Sequence, residues 1–276
     1  MFAVLGTFVT FESMLLTFDI GNTNITVGLF DGEKLTHKWR LISSTKKSVD
    51  DYAVDIIELF LTEKIDCLKI SGIIIVSVVP VLTGIIHEAV KKFVNEEVAQ
   101  KILIIGDDKT RLNIAIKVKN KNEVGHDRLI NAIAGYKKFG GNLIIVDFGT
   151  ATTFDVVGKD GEYLGGVIAP GINLSIKALH DMTAQLPKIS VKPQKNVIGK
   201  TTIEAMNSGV YFGYISLIEG MIEKIEKELG YKTTRIITGG LAEIFKNALK
   251  NSVEHHEVDL TLEGLRIVYE NQPNPK

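Results

Sequence analysis

The chain has 276 residues, 45% hydrophobic and 24% charged, with a formal net charge of -1. That length gives room for about two domains, each with its own core, and the near-neutral balance supplies no basic field for nucleic acid. A single cysteine, Cys67, excludes an intrachain disulfide and a thiolate metal cluster, which suits a reducing cytoplasm.

Residues 1–13, MFAVLGTFVTFES, are apolar but too short for a membrane-spanning helix, and they lack a basic leader and a small-x-small cleavage site. We therefore expect no membrane association, Met14 as the natural start, and 1–13 as an extension outside the core. Residues 15–33, LLTFDIGNTNITVGLFDGE, read as a β-hairpin: an apolar run ends near Asp19, turns through Gly21, Asn22, Thr23 and Asn24, and returns as a second apolar run. A third strand follows at 34–43. Residues 52–63 have helical spacing, with Ile56, Ile57, Leu59 and Phe60 on one face. The β-branched run before Pro80 reads as a buried central strand, 81–94 as a helix, and KILIIG at 101–106 as a parallel strand.

KVKNKN at 117–122 has no apolar period and reads as a loop. It leads to Gly125, His126, Asp127 and Arg128, directly before a helical pattern carrying Leu129, Ile130, Ile133 and Ala134. Asp127 at this loop-to-helix junction could simply cap the helix. The same position favours an ionised carboxylate, which can accept the proton of an alcohol.

The first hairpin recurs at residues 142–162, NLIIVDFGTATTFDVVGKDGE, with Asp147, Gly149 and Thr150 standing where Asp19, Gly21 and Asn22 stood. The closing turn recurs as well, with one extra residue in the second copy. Two tips that pair a carboxylate with uncrowded backbone suit phosphate: turn N–H groups and Thr hydroxyls bond its oxygens, and the aspartates hold a cation or its water shell. A helix is expected at 172–179 and a Pro-containing loop at 186–195. A long helix follows at 204–229, in which Gly209, Gly213 and Gly220 suggest close packing against another element. A strand at 235–238 then leads to Gly239 and Gly240, followed by helices at 242–250 and from 259. Gly199-Lys200-Thr201 is not a P-loop, because Gln194 stands where its first glycine belongs. The adjacent His255 and His256 lack metal-ligand spacing and read as surface.

DIGNTN (19–24), SVVP (77–80), GHDR (125–128) and DFGTATT (147–153), in that order, resemble the type III pantothenate kinases of the acetate and sugar kinase, Hsp70 and actin superfamily. The resemblance implies an α/β fold of duplicated actin-like ATPase (ribonuclease H-like) domains, with mixed five-stranded sheets flanked by helices. We place them at residues 14–132 and 133–276, the last helix packing back on the first domain. It implies ATP-dependent phosphorylation of pantothenate, the first step of coenzyme A biosynthesis, with ATP held between the hairpins and Asp127 as general base. Gly125, His126, Asp127, Arg128 and Thr202 would meet pantothenate; without the resemblance, Thr202 reads as a helix N-cap. Asp19, Ile20, Gly21, Asn22, Thr23, Asn24, Ile25 and Thr26, with Thr150, Gly239 and Gly240, would meet ATP and its divalent cation, Mg2+. Asp147 would hold a monovalent cation, K+ or NH4+. A cytoplasmic homodimer joined through the glycine-bearing helices of the second half is also implied. The chain departs from the family at His126, where Ala is common, and at Val118, where a Tyr often lines the acceptor pocket. Rival readings are a kinase or ATPase of the same fold with another acceptor, and a non-enzymatic regulator.

Overall fold

A computed structural model describes residues 14–273; the expectation for 1–13 lies outside the described residues. The chain divides into two compact units, one covering residues up to 111 together with those from 269, the other covering 112–268. Residues 112–132, assigned above to the first domain, therefore group with the second unit, because Leu129, Ala132 and Ile116 pack into its core beside Tyr163 and Ile145.

In the first unit, β1 (Met14–Ile20) and β2 (Asn24–Asp31) form the expected hairpin, and β3 (Lys34–Ile42) extends it. Ser48 caps α1 (Val49–Thr62) in a reciprocal capping box with Asp51. Then come β4 (Ile70–Ser77), α2 (Pro80–Val90) with Pro80 in its first turn, α3 (Glu96–Gln100), and β5 (Leu103–Ile104). Helix α3 was not anticipated; it is a single short turn capped by Asn95. The strand order is β3-β2-β1-β4-β5, with β1 antiparallel to β2 and parallel to β4. As inner strands, β1 and β4 are apolar almost throughout, and Leu16, Phe18, Ile73 and Ile75 pack with Ile56 and Phe60 of α1.

The second unit repeats this plan. Its elements begin with α4 (His126–Phe139), β6 (Leu143–Phe148), β7 (Ala151–Val157), β8 (Tyr163–Pro170) and α5 (Ile172–Asp181). They continue with α6 (Thr202–Leu229), β9 (Thr234–Thr238), α7 (Ala242–Phe245), β10 (His255–His256) and α8 (Leu260–Glu270). The sheet order β10-β9-β6-β7-β8, read from its other edge, matches the first sheet strand for strand. Asp19 pairs across its hairpin with Thr26 and alongside Val76, as Asp147 pairs with Thr153 and Thr238.

Three local expectations need correction. The α6 cap is Thr201, whose hydroxyl accepts the Glu204 N–H at 3.2 Å, while Thr202 is the first helical residue. Apart from their own helix backbone, Gly209, Gly213 and Gly220 have no described atom within 4 Å of where a Cβ would stand, so no other described element packs tightly on them. His255 and His256 are half-buried as β10, with His255 stacked on Phe139 at 4.0 Å between ring centroids; a two-residue strand is too short to show a period.

Candidate active site

Helix α4 starts at His126 with Gly125 as its N-cap and no side-chain cap, so Asp127 stands in the first turn rather than at the cap. Its Oδ1 accepts the Arg128 N–H at 2.9 Å. Its Oδ2 makes no hydrogen bond to the described residues, which leaves an acceptor open on a half-buried carboxylate. A Cβ on Gly125 would come within 2.5 Å of Asp127 Oδ1, so the glycine makes room for this carboxylate.

Asp147 stands one residue before the end of β6, and Asn131, one helical turn beyond Asp127 on α4, donates Nδ2 to Asp147 Oδ2 at 3.0 Å. Thr261 of α8 fixes Asn131 in turn, donating to its Oδ1 at 2.8 Å. Burial, reinforced by the negative charges of Asp127 and Asp155, pushes the Asp147 carboxyl up to about 7, and the Asn131 hydrogen bond only partly offsets this. Gly239, in the left-handed region at φ 91°, closes over the carboxylate: a Cβ there would lie 2.4 Å from Asp147 Oδ1 and 2.6 Å from the Phe148 nitrogen.

Arg128 turns its side chain onto β7, where Nε donates to Asp155 Oδ1 at 2.7 Å. The Tyr163 hydroxyl donates to the same oxygen at 2.8 Å, and Thr153 Oγ1 donates to Asp155 Oδ2 at 3.2 Å. Burial pushes the Asp155 carboxyl up to about 6, opposed by the Arg128 guanidinium and these hydrogen bonds. The same burial, with the Asp155 charge, pushes the Tyr163 hydroxyl well above its usual value and keeps it a proton donor.

Asp127, Arg128, Asp147 and Gly239 thus belong to one neighbourhood of the second unit. No described hydrogen bond or ion pair joins Thr202 to it, and Thr150 and Gly240 are exposed. In the first unit, the Asp19 hairpin tip is closed by the Gly21 N–H donating to Asn24 O at 3.0 Å and by Ser43 Oγ donating to Gly21 O at 2.6 Å. Asn22 and Thr23 are exposed on it. Asn131, Asp155, Tyr163 and Thr261 were missed. Asp155 had a usable signal, a carboxylate inside the apolar run Phe154-Asp155-Val156-Val157, and Asn131 had another in its spacing from Asp127.

No cluster of three or more His, Cys, Asp or Glu able to hold a metal occurs among the described residues. A half-buried carboxylate with acidic neighbours and no cationic partner, such as Asp147, fits a weakly held cation completed by backbone oxygens, water or phosphate. Asp19 offers the same hard oxygen chemistry at the other tip.

The family model described as type III pantothenate kinase matches residues 15–224. A protein named type III pantothenate kinase from Persephonella marina is 45% identical over 262 residues, covering 95% of this chain and 100% of its own. A solved structure from Campylobacter jejuni, described as a Baf family transcriptional activator, shares 21% identity with a TM-score of 0.56, over 94% of this chain and 99% of that one. An N-acetylmannosamine kinase structure, so described, from Listeria monocytogenes has 14% identity and a TM-score of 0.50, over 95% of this chain and 100% of that one. At these identities the two structures speak for the fold alone, two units each built on a mixed five-stranded sheet.

Proposed function

The chain belongs to the type III pantothenate kinase family, and from that premise we propose that it transfers the γ-phosphoryl group of ATP to the terminal hydroxyl of pantothenate. The product, 4'-phosphopantothenate, opens coenzyme A biosynthesis. The observation that carries this reading is the open Oδ2 of Asp127, beside a guanidinium pinned by Asp155.

Asp127 accepts the hydroxyl proton as the pantothenate oxygen bonds to the γ-phosphorus and the bond to the β-phosphate oxygen breaks, leaving ADP. Arg128 faces the pantothenate carboxylate, a partner whose two oxygens suit a guanidinium. Gly125, His126 and Thr202 complete the acceptor pocket. The Asp19 hairpin, residues 19–26, supplies turn N–H groups and hydroxyls to the ATP phosphates with their divalent cation, and Thr150, Gly239 and Gly240 meet the nucleotide. Asp147 holds the monovalent cation, K+ or NH4+. Bound cations would supply charge neutralisation, which a loose phosphoryl-transfer transition state needs most.

We place the protein in the cytoplasm as a homodimer. No helix among the described residues is long and apolar enough to cross a membrane. Leu174, Met182, Val197, Ile198 and Ile203 of the second unit are 51%, 84%, 65%, 74% and 53% exposed, apolar side chains that a second copy of the chain would cover. Acceptor profiling of the purified protein with ATP tests the activity: pantothenate should be the preferred alcohol, and another preferred acceptor would overturn the reading.

A further inference from the structure

The Arg128 guanidinium is fixed at one end and unpartnered at the other. At the fixed end, Asp155 sits on β7 with no exposed surface and takes hydrogen bonds from Arg128 Nε, the Tyr163 hydroxyl and Thr153 Oγ1. Tyr163 also lies beneath the guanidinium, its ring centroid 5.8 Å from Cζ. A buried pair of this kind is weak evidence for stability, since apolar residues of similar size could fill the same space without desolvating two charges. At the other end, Arg128 Nη2 is buried with no hydrogen-bond partner among the described residues. Gly166 borders that nitrogen on the neighbouring strand β8; a Cβ there would run first into the Phe154 carbonyl oxygen and come within 2.7 Å of Nη2. A buried donor left without a partner is costly, and an anionic acceptor atom would satisfy it.

We infer that Asp155 and Tyr163 are positioning residues that aim Arg128 Nη2 at the acceptor's carboxylate, so that this buried group, and not Arg128 alone, sets the preference for a carboxylate-bearing alcohol. The inference rests on the reading of Arg128 as the partner of that carboxylate. Thr153 donates to the second oxygen of Asp155, and Val118 packs against the same hydrophobic cluster as Tyr163.

The test compares pantothenate with pantothenyl alcohol, which keeps the reacting hydroxyl and replaces the carboxylate by an uncharged group, in the wild type and in Tyr163→Phe and Asp155→Asn. The wild type should favour pantothenate, and each variant should raise the KM for pantothenate about tenfold or more. The KM for ATP and the KM for the alcohol should stay near wild type, so that the preference between acceptors collapses. Equal losses on both acceptors, or a fall in kcat with an unchanged pantothenate KM, would show a merely structural pair and overturn the inference. Tyr163→Phe keeps the packed ring, so it decides the matter if Asp155→Asn does not fold. A wild type that phosphorylates the alcohol as readily as pantothenate removes the carboxylate role, and one that phosphorylates neither removes the kinase reading itself.

Discussion

Asp127 and Asp147 lie in one group of carboxylates, yet their surroundings prepare them for different work. Asp127 keeps one oxygen open, so an Asp127→Asn variant should lose about 100-fold or more in kcat while its KM for ATP barely changes; steady-state kinetics read this directly. Asp147 instead resists ionisation, its carboxyl pushed up to about 7 by burial and by its acidic neighbours. The folded chain therefore holds a proton at Asp147 that the unfolded chain releases, and this group's contribution to stability falls as pH rises from about 4 to about 7. Asp147→Asn should remove that fall and stabilise the protein at pH 8 by about 1 kcal/mol or more, as loss of a buried charge at a functional site commonly does. Thermal unfolding at pH 6 and pH 8 would show it, together with loss of any response of activity to K+. A lower melting temperature for the variant at both pH values would contradict it. These roles were unevenly legible. DIGNTN, GHDR and DFGTATT pointed to Asp19, Asp127 and Asp147 because carboxylates beside small turn residues are a local pattern. Asn131 and Thr261 escaped because their contact joins α4 to α8 across 130 positions of sequence, which no local pattern encodes.

At the scale of elements, period carried most of the reading. The hairpins, β4 and α1, α2, α4, α5 and α6 were visible because their apolar residues repeat with strand or helix spacing or run continuously where a strand is buried on both faces. The two-residue strands β5 and β10 and the short α3 leave almost no period to read; β5 was found only because it lies within the apolar run 101–106. Thr201 rather than Thr202 caps α6, a one-residue difference that hydroxyl geometry decides. Thr201→Ala should cost about 1 kcal/mol of stability, whereas Thr202→Ala should spare stability and raise the KM for pantothenate; chemical denaturation and kinetics together separate the two threonines. The glycines of α6 give a further element-scale test. With no described atom near Gly213, Gly213→Ala should stabilise an isolated protomer by up to about 1 kcal/mol through helix propensity. If α6 joins two copies of the chain, the same change should weaken their association instead, which sedimentation at graded concentration would detect.

Across the whole molecule, the repeated sheet order is the feature that links sequence to function. Duplication places the second carboxylate tip on the same strand position as the first, with Thr238 beside Asp147 where Val76 stands beside Asp19. The order of motifs made the duplication legible. The boundary between the units was not, because the loop 112–125 joins the second unit through Ile116, which bridges to Tyr163, a pairing that no local pattern encodes. We propose that this duplicated fold serves one reaction, with Asp127, between its two hairpins in sequence, taking the hydroxyl proton. The most direct measurement is product formation from ATP and pantothenate by mass spectrometry, wild type beside Asp127→Asn at matched ATP. The account predicts 4'-phosphopantothenate and ADP in equal amounts from the wild type and a rate lower by about 100-fold or more from the variant. Equal rates from the two proteins, or ADP without phosphopantothenate from the wild type, would contradict it.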